Sequence, residues 1–424
     1  MISIQSIRDD PDAVKRAIAR KGEGAEVIDR LLAADGRRRE LLADADAVKH
    51  ERNEGSREVG ELMRAGKTDE AEARKASLGD LGPRISALDE QLAFVEASIE
   101  SDLLLVPNPP HPDVPDGAGP EDNPVVRTWG EPLPPGERPP HWEIGARLGL
   151  FDLERGAKIS GSGFVLYTGA GARLQRALIG LFLEMAAERG YTEVWPPVLV
   201  NADSARGTGQ LPDKEAQMYV VTSDDLYLAP TAEVPVTNIH RDEILPPGSL
   251  PIRYAAYTPC FRREAGAAGK DTRGLLRVHQ FDKVELVKFV TPESSDDELQ
   301  SLTADAEAVL RALELPYRTV ERCTGDVGFA QARGYDLEGW APGVGRWLEI
   351  SSCSNYTDFQ ARRMNVRYRS SGDARPELVH TLNGSGVALA RTVAALLETH
   401  LQSDGTVTVP EALQPHFGSP VIGG

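Results

Sequence analysis

The sequence predicts two parts: a helical hairpin near the N-terminus and a C-terminal α+β domain, an antiparallel sheet flanked by helices. Three observations support this. Apolar residues recur in steps of three and four along residues 78–99, the spacing of a coiled-coil seam. Prolines crowd residues 106–140. Beyond them, short β-type runs lie close together without regular alternation with helices, which favours an α+β domain.

The hairpin is predicted at about residues 27–102, within an N-terminal arm of residues 1–105. Gly66 can end a first helix, and Thr68 can begin a second. Two long helices folded back on each other are the simplest structure. Both a dimerisation spacer and an RNA-binding arm fit it. The apolar seam positions are Leu31, Ala34, Leu41, Ala45, Val48, Val59 and Leu62, followed by Leu78, Leu81, Ile85, Leu88, Leu92, Val95 and Ile99.

Bulk composition limits the class of protein. The 424 residues exceed one typical domain. We expect residues 106–140 to be a linker and residues 141–424 to form the second domain. No apolar run or N-terminal segment predicts a membrane helix or a signal peptide, so we expect a cytoplasmic protein. The formal charge of −18 argues against unassisted nucleic-acid binding. The three cysteines form no CxxC pair, and no zinc is expected.

The densest group of candidate functional residues lies in TPCFRREAGAAGKDTRGLLRVHQFDKVELV. If both ends of this segment are extended, Arg262 and Glu264 share one face of the first strand. Phe281, Lys283 and Glu285 then share one face of the second. Such a set suits a nucleotide, because arginine neutralises phosphate and a ring stacks on a base. A solvated hairpin with surface ion pairs fits about as well.

Two shorter motifs also carry polar groups. Thr231 and Glu233 in APTAE would project to one side of a strand, which suits a small amino acid or an ordinary turn. Glu349 and Ser352 in EISSCSN offer oxygen ligands of the kind that Mg²⁺ takes. A regular strand would put these two on opposite faces, so their joint use needs a bulge or a strand end. Cys353 is predicted to be a buried small residue.

The segment TLNGSGVALARTVAALLE is predicted to be a Gly-rich turn followed by an apolar helix. The start of that helix offers backbone amides and a positive dipole end. Its single arginine, Arg391, could reach a nucleotide phosphate. For this motif alone, a core helix with a solvated arginine is the simpler interpretation.

In this order, the segments resemble the bacterial-type seryl-tRNA synthetases over nearly the whole chain. FRREAGAAGKDTRGLLRVHQFDKVE resembles motif 2 of that family, LNGSGVALARTVAALLE resembles motif 3, and GYTEVWPPVLV resembles motif 1 at the dimer interface. GTGQLP, PTAE, CTGDVGF and EISSCSNYTDFQARR resemble further family blocks. The resemblance implies a class II synthetase fold with a two-helix antiparallel coiled-coil arm.

The resemblance also implies an activity and partners. The expected enzyme activates L-serine with ATP and Mg²⁺ to seryl-adenylate. It then transfers serine to the 3′-terminal adenosine of tRNA(Ser), and of tRNA(Sec) where that is present. A homodimer is implied, in which we expect the arm of one subunit to hold tRNA bound at the partner's active site.

The family's site residues carry over to matching positions. Catalytic roles on phosphate are implied for Arg262 and Arg391, and Mg²⁺ binding with ATP for Glu349 and Ser352. The implied serine-binding residues are Thr231, Ala232, Glu233, Arg262, Glu285, Asn383 and Ser385. The implied ATP-binding residues are Arg262, Arg263, Glu264, Val278, Phe281, Glu349, Ile350, Ser351, Ser352 and Arg391.

Two positions depart from the family pattern. Ala267 replaces an expected serine, which bears on contacts with the tRNA acceptor end. Gly339 replaces a branched apolar residue and is expected to loosen a strand.

Three alternatives stay open at this point. A sister class II synthetase for threonine, proline or glycine is disfavoured by the hairpin and by the TAE and SSCSN blocks. An active paralogue serving a biosynthetic pathway or antibiotic resistance fits the same blocks. A non-catalytic RNA-binding or scaffold protein is disfavoured because the charged site residues are present.

Overall fold

The structure is a computed structural model of the chain, and it describes residues 1–213, 216–265 and 272–423. Ala267 lies outside the described residues. The chain divides into two compact units, one spanning Ile2–Pro107 and the other Asn108–Gly424 together with Met1.

The first unit is helical. Its long helix packs against the two helices that follow, as the seam predicts. Each predicted seam position is buried or half-buried. Gly66 has a φ of +75°, which suits a glycine just past a helix end. The helices are α1 (Ile4–Asp9), α2 (Pro11–Ala19), α3 (Glu26–Arg64), α4 (Thr68–Ser77) and α5 (Leu81–Leu105).

The returning half of the hairpin is interrupted, which the apolar spacing does not predict. A short turn separates α4 from α5, and Leu78 in this turn packs with Val48, Leu81 and Ile85. A Cβ on Gly55 of α3 would lie 2.5 Å from Leu78 Cδ2. The missing side chain at Gly55 therefore makes room for Leu78.

Asp35 is a buried carboxylate on α3. Arg8 Nε donates to its Oδ2 at 2.8 Å, and Arg38 Nη2 donates to its Oδ1 at 2.7 Å. Burial raises the pKa of Asp35, but hydrogen bonds from the two guanidinium groups outweigh burial and lower it below its ordinary value. The Arg8–Asp35 ion pair joins α1 to α3, and Arg38 supports the same carboxylate from within α3.

The second unit combines helices and strands. Its helices are α6 (His141–Leu148), α7 (Leu153–Ser160), α8 (Gly169–Glu188), α9 (Ala202–Thr208), α10 (Glu233–Thr237), α11 (Ser295–Ala312), α12 (Phe359–Met364), α13 (Leu389–Thr399) and α14 (Gln414–Phe417). Its strands are β1 (Val125–Trp129), β2 (Phe151–Asp152), β3 (Leu166–Tyr167), β4 (Thr192–Glu193), β5 (Leu199–Asn201), β6 (Val220–Val221), β7 (Leu226–Leu228), β8 (Ile244–Leu245), β9 (Ile252–Phe261), β10 (Gln280–Val290), β11 (Tyr317–Glu321), β12 (Arg333–Ala341), β13 (Arg346–Asn355), β14 (Arg367–Tyr368), β15 (Glu377–Leu378), β16 (His380–Ala388), β17 (Val407–Thr408) and β18 (Val421–Ile422).

One large sheet organises this unit, with the strand order β1-β11-β12-β13-β16-β10-β9-β4. Its pairs are antiparallel except for β4 with β9. Helices α8, α11 and α13 pack on it, and the main apolar core lies between these helices and the strands, with Leu178, Leu302 and Leu396 fully buried. The predicted α+β class on an antiparallel sheet is confirmed.

The structure differs from the sequence predictions at three places in this sheet. The predicted linker contributes β1, which pairs with β11 at the edge of the sheet. The sequence of β1, VVRTW, is rich in residues that favour strands. The predicted Gly-rich turn is strand β16. Gly339 does not interrupt β12, which pairs with β11 and β13 there. A Cβ at Gly339 would lie 2.3 Å from Ile350 Cδ1, so the glycine accommodates Ile350.

Candidate active site

A cleft lies over β10, β13 and β16. It has two adjoining lobes, a polar lobe of about 440 Å³ and a second lobe of about 220 Å³, which we call the apolar lobe because Leu275, Leu276, Val278 and Phe281 line part of it. Both lobes are lined by Arg262, Glu264, Arg277, Lys283, Glu349 and Ser385. A ligand could therefore extend from one lobe into the other.

The polar lobe is built around Glu285, a buried carboxylate on β10. Thr231 Oγ1 donates to Glu285 Oε2 at 3.1 Å, and Lys283 forms an ion pair with the same oxygen. Thr231 Oγ1 also accepts from the backbone amide of Glu233 at 3.3 Å. The prediction that Thr231 and Glu233 share a strand face is wrong, because the chain bends at residues 230–231 and helix α10 begins at Glu233. Both side chains still line the lobe.

Glu233 is buried, and its carboxylate accepts a hydrogen bond from Gln360. Gln360 Nε2 donates to Glu233 Oε1 at 2.7 Å, and Thr381 Oγ1 donates to Gln360 Oε1 at 2.7 Å. Burial, and then the charge of Glu285, raise the pKa of Glu233 to about 7. The lobe thus holds two carboxylates that are costly to ionise together.

A bulge in β13 brings Glu349 and Ser352 to the same lobe. Ser351 pairs with Leu337 while Glu349 pairs with Glu338, so Ile350 is the extra residue. This is the irregularity that joint use of the two side chains required. Ser352 Oγ is buried without a hydrogen-bond partner in the described part of the chain, so it retains acceptor capacity for a hard cation beside the Glu349 carboxylate.

Asp336 lies opposite Ser352 on β12. Burial, together with the charge of Glu349, raises the pKa of Asp336 to about 7, and Arg322 opposes the rise. The lining of the polar lobe itself balances four carboxyl groups, Glu233, Glu264, Glu285 and Glu349, against four cations, Arg262, Arg277, Lys283 and Arg322.

Strand β16 supplies Asn383 and Ser385. Ser385 pairs with Glu285 across the sheet, with Gly386 as an extra residue in β16. Asn383 Nδ2 donates to the Tyr356 hydroxyl at 3.2 Å. A Cβ on Gly384 would lie 2.9 Å from Cys353 Sγ, so the glycine leaves room for the Cys353 side chain of the paired strand β13.

The apolar lobe has one aromatic ring, Phe281, and three arginines, Arg262, Arg277 and Arg391. The Arg262 guanidinium lies 5.3 Å from the centre of the Phe281 ring. Arg391 Nη1 donates to the Glu349 carbonyl at 2.8 Å, and its Nε donates to the Leu276 carbonyl at 3.1 Å. Glu264 pairs with Arg277 beside them. A flat ring bounded by guanidinium groups suits a purine nucleotide.

Two family comparisons match this chain. Residues 1–110 match the seryl-tRNA synthetase N-terminal domain, and residues 219–400 match the class II tRNA synthetase core domain (G, H, P, S and T). A serine–tRNA ligase of Salinibacter ruber is 53% identical over 100% of this chain and 99% of its own length. One of Geobacillus kaustophilus is 52% identical, covering 99% of each chain.

The chain belongs to the seryl-tRNA synthetase family. Solved structures agree. The seryl-tRNA synthetase of Pyrococcus horikoshii, complexed with ATP, superimposes with a TM-score of 0.95 at 36% identity, covering 100% of this chain and 99% of that one. The cytoplasmic serine–tRNA ligase of Naegleria fowleri, in complex with AMP, gives a TM-score of 0.89 at 27% identity, covering 100% and 98%.

Most residues that the family resemblance predicts lie on the cleft. The predicted residues that line it are Thr231, Glu233, Arg262, Glu264, Val278, Phe281, Glu285, Glu349, Ile350, Ser352, Asn383, Ser385 and Arg391. Three others do not line it. Ala232 packs in the core behind α10, Ser351 bonds the Ser385 carbonyl from beneath, and the Arg263 amide bonds the Gln217 carbonyl at 2.8 Å.

Some cleft residues are missing from the predicted set. Lys283 lines both lobes and shares a predicted strand face with Phe281 and Glu285, but the family resemblance implies no role for it. The lobe is also lined by Gln210, Gln217, Arg277, Arg322, Gln331, Ser354 and Tyr356. Arg277 and Arg322 fall within or beside quoted family blocks, and their charge was an available signal. Cys353 is buried, and burial raises its thiol pKa to about 12, as expected of a structural cysteine.

None of the helices in the described residues combines the length and apolar character needed to cross a membrane.

Proposed function

We propose that the cleft activates L-serine with ATP and that the chain transfers the seryl group to tRNA. The observation that carries this proposal is the junction of the two lobes. The polar lobe, with buried Glu285 and Thr231, opens directly into the apolar lobe at Arg262. A small amino acid and a nucleotide held there would meet at that arginine.

In this proposal the polar lobe selects serine. Glu285 holds the ammonium group, since a buried carboxylate favours a cationic partner. Thr231, Glu233, Asn383 and Ser385 bind the remaining polar atoms. Alanine would leave buried polar groups unpaired, which disfavours it by factors of about 10⁴ or more. Threonine is refused for lack of room for its methyl group.

The apolar lobe binds the adenosine of ATP. Val278 and Phe281 pack on the base, Glu264 contacts the nucleotide, and Arg391 binds the γ-phosphate side. Arg262 contacts both the α-phosphate and the serine carboxylate, which brings the two reactants together.

The serine carboxylate then attacks the α-phosphorus. The bond to the bridging oxygen of the β-phosphate breaks, and pyrophosphate leaves with that electron pair. Arg262 and Arg391 stabilise the negative charge that develops on the phosphates. The terminal adenosine hydroxyl of tRNA next attacks the acyl carbonyl, and AMP leaves.

Glu349 and Ser352 are the residues proposed to hold Mg²⁺. Their fit rests on the chemistry of the site, where the Glu349 carboxylate and the buried Ser352 hydroxyl line the same lobe and the hydroxyl has no hydrogen-bond partner among the described residues. Such hard oxygen donors suit Mg²⁺, which keeps several waters when bound with a nucleotide. When bound, the cation supplies charge neutralisation to the triphosphate.

The other parts of the proposal concern partners. We assign tRNA binding to the arm, residues 1–105, and catalysis to residues 141–424. We propose a homodimer formed through the segment that resembles motif 1. Trp195 in this segment is 80% exposed, which is unusual for a tryptophan unless another surface covers it. tRNA(Ser) is the proposed substrate, with tRNA(Sec) where it exists.

ATP–pyrophosphate exchange tests the activation step. The purified chain should exchange pyrophosphate with serine, at a rate far above that with threonine, alanine, glycine or proline. Exchange with another of these amino acids would move the activity to a sister synthetase, and no exchange with any would refute the proposal. Charging of a tRNA(Ser) transcript with labelled serine tests the second step.

A further inference from the structure

His141 and Glu398 form a buried polar pair that the mechanism above does not use. His141 begins α6, and Glu398 lies near the end of α13, and neither side chain is exposed. Glu398 Oε1 accepts from both Nδ1 and the backbone amide of His141, each at 2.8 Å. Its Oε2 accepts from the amides of Gly343 and Val344, at 2.8 and 3.1 Å. The carboxylate thus ties α6 and the β12–β13 turn to α13.

The other side of the imidazole faces the cleft wall. His141 Nε2 accepts a hydrogen bond from the backbone amide of Leu275 at 3.0 Å. Because Nε2 accepts, Nδ1 carries the ring hydrogen and donates it to Glu398. Leu275 and the residues after it, up to Val278, line the apolar lobe. The histidine therefore connects Glu398 to the wall proposed to bind adenosine.

Helix α13, which carries Glu398, also holds Leu276, the next residue of this wall. Arg391 of α13 donates from Nε to the Leu276 carbonyl at 3.1 Å. Helix α13 thus fixes two successive wall residues. It holds Leu275 indirectly, through Glu398 and His141, and it holds Leu276 directly, through Arg391. The approach is close, since Gly274 has a φ of +60° and a Cβ there would lie 2.4 Å from His141 Nε2. The chain before Leu275 must pass directly over the imidazole.

We propose that His141, oriented by Glu398, is a positioning residue for ATP. It fixes the wall of the apolar lobe and the direction of Arg391 before the nucleotide binds. Without the Nε2 acceptor, the buried Leu275 amide would lose its partner and seek water. The wall would then occupy its binding position for only part of the time, and the apparent ATP affinity would fall by that fraction. This inference rests on the proposed function, because it places ATP in the apolar lobe.

Two substitutions at one position separate positioning from general packing. In His141→Asn the amide lies where Nδ1 was, so the link to Glu398 remains and the acceptor for Leu275 is lost. In His141→Gln the amide oxygen reaches the region of Nε2 and keeps that acceptor. We expect His141→Asn to raise KM for ATP about tenfold, the effect of about 1.4 kcal/mol, with KM for serine changed less than about twofold. We expect His141→Gln to stay close to wild type in both.

A change from the opposite side of the contact provides a second test. Gly274→Ala should displace the wall from the imidazole and raise KM for ATP without changing KM for serine. It also decides the question if His141→Asn does not fold. The measurement is serine-dependent pyrophosphate exchange at varied ATP and varied serine, with thermal unfolding of each variant.

The outcomes are distinguishable. The inference is overturned if His141→Asn and Gly274→Ala have wild-type KM for ATP, if both substrates are affected equally, or if His141→Gln behaves like His141→Asn. A wild-type chain with no serine-dependent exchange refutes the proposed function itself. An active wild type with unchanged ATP dependence in the variants refutes only the role of His141.

Discussion

At the scale of single residues, Glu233 shows how burial changes ionisation. Its folded pKa is about 7, above the ordinary 4.5, because of burial and the charge of Glu285. The folded state therefore holds the proton more tightly than the unfolded state. The contribution of Glu233 to the free energy of unfolding is therefore greatest below pH 4.5. It decreases by about 3 kcal/mol in total as the pH rises to about 7.

We predict that Glu233→Gln removes this pH dependence. The amide still accepts from Gln360 but does not ionise. The unfolding free energy of the variant minus that of wild type should increase between pH 5 and pH 8. Urea unfolding of both proteins at the two values measures it, and comparing the two proteins cancels the other titrating groups. A constant difference would contradict the raised pKa.

A second residue-scale prediction concerns Lys283, which the sequence analysis did not assign. Its ion pair with Glu285 is buried, so Lys283→Met leaves a buried charge unpaired. We expect the unfolding free energy to fall by about 3–5 kcal/mol. The double variant Lys283→Met with Glu285→Gln should recover most of that loss, because the charge is gone.

The same two variants separate stability from activity. Serine-dependent pyrophosphate exchange should be absent in the double variant, even though its stability recovers. The amide introduced by Glu285→Gln does not hold the serine ammonium group as the Glu285 carboxylate would. Urea unfolding and exchange assays on the single and double variants make the comparison. Recovery of exchange together with stability would show that Glu285 does not bind serine through its charge.

At the scale of elements, the glycines of α3 provide a matched pair. A Cβ at Gly55 would lie 2.5 Å from Leu78 Cδ2, whereas one at Gly36 meets nothing within 4 Å. Gly36→Ala should stabilise α3 by up to about 1 kcal/mol through helix propensity. Gly55→Ala should destabilise the hairpin, because overpacking against Leu78 costs about 1–3 kcal/mol. The helix-propensity gain expected for Gly36→Ala offsets part of that cost.

Hydrogen exchange of the α3 and α5 amides in the full chain measures these effects, because the hairpin can open locally. Protection should rise in Gly36→Ala and fall in Gly55→Ala. Equal protection in both variants would mean that Leu78 moves aside without cost.

The elements also show how far the sequence determines the fold. The coiled-coil seam was predictable because helical periodicity is local and extends over many turns. Strand β16 was not, because Gly384 and Gly386 have low strand propensity and are set there by neighbouring strands. The edge strand β1 was hidden among prolines. Both segments form strands because they pair with strands that are distant in sequence, and no local sequence pattern predicts that pairing.

The site follows the same rule. The sequence indicated that Glu349 and Ser352 need a bulge to act together, and a bulge is present at Ile350. It could not place Arg322 or Tyr356 at the cleft, because their approach depends on how β12 pairs with β11 on one side and with β13 on the other. The reason for a glycine at position 339 is not local either, because the side chain that needs the room, Ile350, lies on the neighbouring strand β13.

At the scale of the whole molecule, the charge of −18 has to be reconciled with an RNA substrate. Charge distribution decides nucleic-acid binding more than the total does. Arg37 and Arg57 on α3 have side chains at least half exposed, though each also pairs with a neighbouring glutamate. We therefore expect tRNA to bind where such pairs can be exchanged for phosphate contacts, with a strong dependence on salt.

The proposed dimer leads to the last prediction, which uses two inactive variants. One lacks residues 30–98, closed by a short glycine linker, and keeps its cleft. The other carries Arg262→Ala and keeps its arm. The first should exchange pyrophosphate with serine but not charge tRNA. The second should do neither.

If the arm of one subunit presents tRNA to the partner's cleft, mixing the two variants under subunit exchange restores charging. Half of the dimers then combine both chains, and each has one cleft served by the other chain's arm. Charging should reach about one quarter of the wild-type rate per dimer. Differently tagged chains establish that the subunits have exchanged. Exchanged dimers without charging would mean that each arm serves its own subunit, and an armless chain that also loses pyrophosphate exchange would show that the arm supports the cleft itself.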